Sequence, residues 1–355
     1  MTPRFHTLRI ARLRPETTDA VCIELDVPPE LAREYAFVQG QHVTLKSDVD
    51  GQEMRRSYSI CAGVDDRLLR ILIKKVPGGQ FSTYANSRLH AGDRIDVLTP
   101  DGRFHTPLDA AQAKHYVAFA AGSGITPILS LISTTLRREP RSRFTLLYGN
   151  RRQSTVLFQE ELEDLKDRYL TRFALYHVFS REQQEVPLFN GRLDGAKVHA
   201  FARTLVPAET IDDAFVCGPG AMIDEVSTAL LECGVAAQHI HVERFGVPDA
   251  DTSHHVEAGD AAHAIVTVIS DGAQREVEFR DSDPSILDAA LAAGVDLPFA
   301  CKGGVCTTCR AKVLDGRVRM DKNYGLERRE VDAGFVLTCQ SHPLTDRVTI
   351  SYDAR

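Results

Sequence analysis

Four of the chain's eight cysteines are spaced for a single task. Residues 301–309 read Cys-Lys-Gly-Gly-Val-Cys-Thr-Thr-Cys, and one further cysteine follows at Cys339. Cys-x4-Cys-x2-Cys with a distant fourth cysteine is the spacing that ligates a plant-type 2Fe-2S cluster through thiolates. Two irons and two sulfides bring no side chains of their own, so the protein must converge four anionic sulfurs, Cys301, Cys306, Cys309 and Cys339, on a narrow space. A tight loop does this. Gly303 and Gly304 are expected at its positive-φ positions, where backbone N–H groups can approach the sulfides. Small Thr307 and Thr308 keep the turn uncrowded. Zinc or simple buried thiols are the competing readings, but zinc ordinarily pairs Cys-x2-4-Cys with a second such pair, and none follows. Disulfides are expected still less: Met1 to Arg14 is charged and lacks the apolar run of a secretory signal, which points to the cytoplasm. A cluster of this type sits at about −400 mV and passes single electrons, so another part of the chain must feed it.

The elements that would do so lie upstream. Residues 5–105 read as short alternating strands broken by Pro, Gly and Asp, at 6–12, 21–27, 41–45, 55–60, 68–75 and 94–98, which predicts an antiparallel β-barrel. Within it lies Arg56-Ser57-Tyr58-Ser59. An arginine on a strand can pair with a phosphate, and a tyrosine two residues on shares its face and can stack on a flat ring. Gly78-Gly79-Gln80-Phe81-Ser82 is a glycine turn opening a short helix, a place where pyrophosphate meets backbone N–H groups. Together these point to a flavin site.

From about Lys114 the pattern becomes strand, glycine turn, helix. The apolar strand 116–121 runs into Gly122-Ser123-Gly124-Ile125-Thr126-Pro127 and a helix carrying Ile128, Leu129, Ile132 and Leu136. Pro127 stands where the usual dinucleotide fingerprint has its third glycine, yet proline suits a helix's first turn and the helix start can still receive a phosphate. Strands at 144–148, 174–179 and 214–217, with helices at 157–168 and 222–231, predict a parallel sheet with helices on both faces. Ligands of such sheets bind beyond the carboxyl ends of the strands. Arg151 follows one strand and Ser180-Arg181 another; two arginines near one ribose suit a 2′-phosphate, where an acidic residue would suit NAD. Cys217-Gly218-Pro219 ends the last strand, setting a small polarisable side chain beside a flat ligand. Cys22, Cys61 and Cys233 have no motif around them and read as core thiols.

Residues 246–262 are polar, small and aperiodic, and read as a linker; His254-His255 within it read as solvated, not as metal ligands. Beyond come strands at 264–270 and 275–280 and a helix with Asp283 as expected N-cap, Pro284 at its first position, an apolar face at Ile286, Leu287, Ala290 and Leu291, and Gly294 at its end. The expected organisation is therefore multidomain: a flavin-binding barrel over 1–108, a nucleotide-binding α/β domain over 109–245, the linker, and a small α+β ferredoxin module over 263–355. The net charge of −7 over 355 residues argues against a nucleic-acid partner, and no apolar stretch approaches the roughly 20 residues that span a membrane. The ferredoxin module carries 12 Lys or Arg against 14 Asp or Glu. Such a mild balance suits a partner tethered in the same chain better than a free ferredoxin steered to many.

Taken in order, Arg56-x-Tyr58-Ser59, Gly79-x-x-Ser82, Gly122-Ser-Gly-Ile-Thr-Pro127, Cys217-Gly-Pro219 and the four cysteines resemble the ferredoxin-NADP reductase superfamily with a C-terminal ferredoxin domain, over essentially the whole chain. More narrowly, Leu-Pro-Phe-Ala-Cys-Lys-Gly-Gly-Val-Cys at 297–306, Met320-x-x-Asn323-Tyr324 and His241-Val-Glu-Arg-Phe245 look like the reductase subunits of phenylacetyl-CoA epoxidases. The resemblance implies a β-grasp fold for the ferredoxin module. It also implies hydride transfer from NADPH to FAD and single-electron transfer through the 2Fe-2S cluster to a separate di-iron oxygenase of phenylacetate breakdown. Carried over by position, Arg56 and Ser82 hold flavin phosphates, Tyr58 stacks on the isoalloxazine, and Ser59 bonds its polar edge, with Gly79 in the turn. Gly122, Gly124 and Thr126 line the NADP pyrophosphate groove. Cys217 sits by the nicotinamide C4, Ser180 and Arg181 grip the 2′-phosphate with Arg151 nearby, and Phe245 covers the flavin's other face. Cys301 and Cys306 bind one iron, Cys309 and Cys339 the other. The rival readings are a reductase of another multicomponent oxygenase or of a hybrid-cluster protein, and a redox sensor with no enzymatic role.

Overall fold

The computed structural model describes residues 3–246, 257 and 259–354; His254 and His255 lie outside them. Contacts divide the chain into two compact units. One is formed by residues 6–54 and 58–245, the other by the C-terminal region from Gly246 with short segments at 3–5 and 55–57.

Six strands build the first sheet: β1 (Phe5–Thr17), β2 (Ala20–Asp26), β3 (His42–Val49), β4 (Gln52–Ser59), β5 (Leu69–Lys74) and β6 (Arg94–Leu98), in the order β4-β3-β6-β1-β2-β5. Alternation sets the inward face: Leu8 and Ile10 of β1 are buried, while Thr7 and Arg9 are exposed. Ile60, just past β4, bridges antiparallel to Ile71 of β5, so the two outer strands meet and the sheet closes on a core that includes Ile10, Ile23, Val43, Leu45 and Val97. β1 runs past its expected end through Pro15, a residue with no N–H to give, at a register shift in the β1–β2 pairing. Helix α1 (Gln80–Ser87) follows β5.

The second sheet is parallel and ordered β11-β10-β7-β8-β9, from β7 (His115–Ala121), β8 (Arg143–Asn150), β9 (Phe173–Phe179), β10 (Asp213–Cys217) and β11 (Ile240–Glu243). β10 is buried throughout and β7 nearly so, as continuous apolar runs require when helices cover both faces. The helices are α2 (Ile125–Arg138), α3 (Gln159–Arg168), α4 (Gly195–Thr204) and α5 (Gly220–Glu232). The chain travels from β7 outward to β9, then returns to lay β10 on the other side of β7. The strand order therefore reverses at β7 and β10, and a crevice opens beyond their carboxyl ends. Sequence periodicity did not reveal α4 or β11. α4 buries only Val198 and Phe201, and β11 is a four-residue edge strand with no fully buried residue.

The C-terminal unit holds β12 (His263–Ser270), β13 (Ala273–Arg280), α6 (Ile286–Ala292), β14 (Arg310–Asp315), β15 (Val318–Met320), α7 (Arg328–Asp332), β16 (Phe335–Leu337), β17 (Ser341–Pro343) and β18 (Arg347–Ser351). Its main sheet is ordered β13-β12-β18-β14-β16 with β12 and β18 parallel at the centre, a β-grasp, and α6 packs Ile286, Leu287 and Ala290 into its core. The α6 cap departs from expectation. Ser285, not Asp283, is the N-cap, its Oγ accepting the Asp288 N–H, while Asp283 takes the Arg280 N–H in the preceding turn. Gly294 does follow the helix, at φ +76. Among the described residues no helix is long and apolar enough to cross a membrane.

Candidate functional site

The cluster loop leaves α6 and ends as β14 begins, and Cys339 sits in the turn after β16. Its backbone differs from the expected one in detail. Gly304 takes the left-handed region, where a Cβ would meet the Lys322 carbonyl at 2.9 Å, but Gly303 does not; Lys302 and Thr307 carry the other positive φ values. The Gly303 and Cys306 N–H groups donate to Cys301 Sγ at 3.3 and 3.4 Å, and the Cys301 N–H donates to Cys306 Sγ at 3.5 Å. A hydrogen bond from Cys306, joined by the Gly303, Cys306 and Val305 N–H groups, pulls the Cys301 thiol down to about 5 against its burial. Cys309 is pushed up by its bond with Cys339, by burial, and by the charges of Cys339, Cys306 and Cys301. The four cysteine sulfurs thus lie close enough to feel one another's charge. No group of three or more His, Cys, Asp or Glu side chains among the described residues is arranged to hold a single metal ion. The Thr308 side chain, in the same loop, is buried and its hydroxyl lies against the Cys306 sulfur. Thiols packed this closely repel as thiolates unless cations lie between them, so the donor set fits a two-iron core.

In the barrel, Arg56 and Tyr58 lie two apart on β4, Arg56 exposed and Tyr58 half-buried with its ring 6.0 Å from that of Phe81. Gly78 adopts φ +73 and Gly79 is the N-cap of α1, which has no side-chain cap, so its first N–H groups remain available to an anion. Ser82 is buried and staples this turn: its Oγ accepts the Val76 N–H and donates to the Gly79 carbonyl. A Cβ on Gly79 would come within 2.6 Å of that Oγ.

At the sheet crevice, Gly122 takes φ +54 and α2 likewise starts without a side-chain cap. Gly124 is pressed on the end of β10, where a Cβ would stand 2.2 Å from the Cys217 carbonyl oxygen. Thr126 is buried and its hydroxyl donates to the Ser123 carbonyl, bracing the turn. The Ser180 N–H donates to the Asn150 carbonyl and the Arg181 N–H to the Arg151 carbonyl, so the pairing of β8 and β9 continues into their loops. Arg151, Ser180 and Arg181 are brought side by side and exposed. Phe245 is 46% exposed just after β11.

The sequence did not single out Glu243. It is the last residue of β11, in register with Cys217 of β10, and Ser59 of the barrel donates to its Oε2 at 3.1 Å. Burial pushes this carboxyl up to about 8, with the Ser59 bond pulling the other way, and its charge adds to the burial that raises the Cys217 thiol. A barrel hydroxyl, a carboxyl near neutrality and a thiol therefore meet where barrel and sheet ends adjoin. A folded pKa above the ordinary glutamate value means the folded protein holds a proton that the unfolded chain has lost. Stability from this group is fully present below about pH 4.5 and is lost as pH rises through about 8. Melting temperature followed from pH 5 to 9 is expected to fall more steeply in the wild type than in Glu243→Gln; parallel curves would show that this carboxyl titrates normally.

Of the remaining cysteines, Cys22 and Cys61 are buried as expected, whereas Cys233 is only half-buried at the end of α5.

Three family models match in order: an oxidoreductase FAD-binding domain over residues 15–106, an oxidoreductase NAD-binding domain over 119–228, and a 2Fe-2S iron-sulfur cluster binding domain over 268–344. The chain is 45% identical to one of the subunits of 1,2-phenylacetyl-CoA epoxidase from Escherichia coli, across 99% of this chain and 98% of that one. It is 34% identical to the ferredoxin reductase component of 3-ketosteroid-9-alpha-monooxygenase of Mycobacterium tuberculosis, across 98% and 95% of the two chains. Phthalate dioxygenase reductase has the same fold, with a TM-score of 0.59 at 23% identity over 98% of each chain. With flavin, pyridine-nucleotide and 2Fe-2S domains in that order and relatives of this identity along its whole length, the chain belongs to the ferredoxin-NADP reductase family of electron-transfer oxidoreductases that carry a C-terminal ferredoxin domain.

Proposed function

We propose that this reductase takes hydride from NADPH and delivers single electrons to a separate di-iron oxygenase that epoxidises phenylacetyl-CoA. The observation that carries this reading is the full-length 45% identity with a component of that epoxidase. FAD supplies the conversion of a two-electron donor into single-electron steps, and the protein supplies binding and orientation. Arg56 and the uncapped start of α1 hold the flavin phosphates, with Gly79 and Ser82 shaping the turn. Tyr58 stacks on the ring, and Ser59 meets its polar edge while bonded to Glu243. Gly122, Gly124 and Thr126 form the pyrophosphate groove, and Cys217 flanks the nicotinamide. Cys301 with Cys306, and Cys309 with Cys339, each bind one iron. Purified protein mixed with NADPH and a candidate phenylacetyl-CoA oxygenase is expected to yield epoxide. Turnover with a steroid or other monooxygenase and none with this one would move the chain to the wider set of oxygenase reductases.

Ser180 and Arg181, with Arg151 beside them, set the coenzyme preference. A guanidinium fork donates two bonds to a 2′-phosphate, and NADH offers only a hydroxyl there. Charge-assisted hydrogen bonds contribute about 1.5 to 3 kcal/mol, so Arg181→Ala is expected to lower kcat/KM for NADPH roughly 10- to 150-fold and leave NADH almost untouched. Dye reduction with both coenzymes measures it. Equal losses would place Arg181 on a part common to both.

The domain boundaries follow the same reading: barrel to 108, nucleotide domain 109–245, linker 246–262, ferredoxin domain 263–355. Each side of the linker has a core of its own. Cleavage within 246–262 is expected to leave a soluble yellow fragment and a soluble red-brown one. An upstream fragment that aggregates or sheds its flavin would refute that boundary.

A further inference from the structure

Cys233 differs from every other cysteine of the chain. Four form the cluster site, Cys22, Cys61 and Cys217 are buried, and Cys233 alone outside the cluster site is half-buried, at the C-cap of α5. His199 of α4 places Nδ1 3.2 Å from Cys233 Sγ, and its Nε2 lies 2.9 Å from Glu232 Oε2. Two residues adjacent in sequence thus hold opposite nitrogens of one imidazole. A carboxylate only accepts, so Glu232 keeps the ring proton on Nε2 and leaves the Nδ1 lone pair facing the thiol. Burial and the Glu232 carboxylate push the Cys233 thiol up, while the Arg203 guanidinium opposes them. A thiol that stays protonated at neutral pH needs a base to react, and Nδ1 is in place to serve. α5 runs 13 residues from Gly220, so the group lies about 20 Å along the helix from the crevice end of the sheet, away from the hydride chemistry.

We propose that Cys233, His199 and Glu232 form a second reactive centre, at which Cys233 is the chain's site of oxidation by hydrogen peroxide. The thiol proton passes to His199 Nδ1 and Sγ attacks one peroxide oxygen. An S–O bond forms as the O–O bond breaks, and the departing hydroxide takes the proton to become water. The sulfur is oxidised by two electrons to a sulfenic acid and the peroxide is reduced. The His199 and Glu232 side chains are 35% and 60% exposed, which gives peroxide access and leaves the product open to capture.

The test treats full-length protein, loaded with flavin and cluster, with substoichiometric hydrogen peroxide in the presence of dimedone, and times the labelled peptides by mass spectrometry. Label is expected on Cys233, at least about tenfold faster than in His199→Gln, since general bases commonly contribute a hundredfold or more. Glu232→Gln should be slower than wild type as well, and NADPH-driven dye reduction should be unchanged in both variants. Label spread over other cysteines, or an equal Cys233 rate in wild type and His199→Gln, overturns the proposal. A bond that merely ties α4 to α5 would lower the melting temperature of His199→Gln without altering the labelling rate.

Discussion

Replacing Cys339 by serine is expected to abolish the visible cluster spectrum and reduce oxygenase turnover to background, while NADPH-driven reduction of a small dye continues. Cys339 is buried in the turn after β16 and its sulfur is paired with that of Cys309. Its removal leaves three thiols for a core that needs four. The flavin and nucleotide domains keep apolar cores of their own. Absorbance spectra, iron content and coupled turnover measure the effect together. A variant that keeps its spectrum and its coupled turnover would remove Cys339 from the ligand set.

Gly124→Ala is expected to slow flavin reduction by NADPH about a hundredfold while leaving the cluster spectrum intact, because a displacement near 1 Å at a reacting centre costs about that factor. The new methyl would stand 2.2 Å from the Cys217 carbonyl oxygen, 2.5 Å from its carbon and 2.9 Å from the Gly218 nitrogen. All three are backbone atoms, so no side chain can swing aside. Either the α2 turn moves away from the crevice end of the sheet, or the end of β10 moves and carries Cys217 and its neighbour Glu243 with it. Rapid mixing with NADPH measures the rate directly. An unchanged rate would mean that hydride transfer does not depend on the packing between this turn and β10.

What was legible in the sequence was local. Ligand spacing in a loop is set by the geometry of a few consecutive residues, so Cys301, Cys306 and Cys309 announced their chemistry, and fold class followed from the change between period-2 strands and strand-turn-helix units. What was not legible depended on contacts distant in sequence. Ser59 and Glu243 are 184 positions apart, and nothing near either one shows that a barrel hydroxyl meets a sheet-end carboxyl. The signal available for Glu243 was an acidic residue ending a short strand after Cys217-Gly-Pro219. The α6 cap was misplaced for a different reason. Asp283 and Ser285 both suit an N-cap, and the choice is made by the turn that Asp283 closes on Arg280. In the cluster loop, the left-handed positions are Lys302, Gly304 and Thr307, held there by the surrounding structure, so the two adjacent glycines marked only one of the three.

The central claim is that electrons pass from pyridine nucleotide through the flavin to the 2Fe-2S cluster of the same chain. Anaerobic rapid mixing with NADPH, with flavin followed by absorbance and reduced cluster by electron paramagnetic resonance on quenched samples, tests it most directly. The account predicts that flavin bleaches first, that the reduced-cluster signal rises afterwards, and that flavin-depleted protein gives no cluster signal at all. A cluster reduced equally fast without flavin, or one that stays oxidised beside fully reduced flavin, would contradict it.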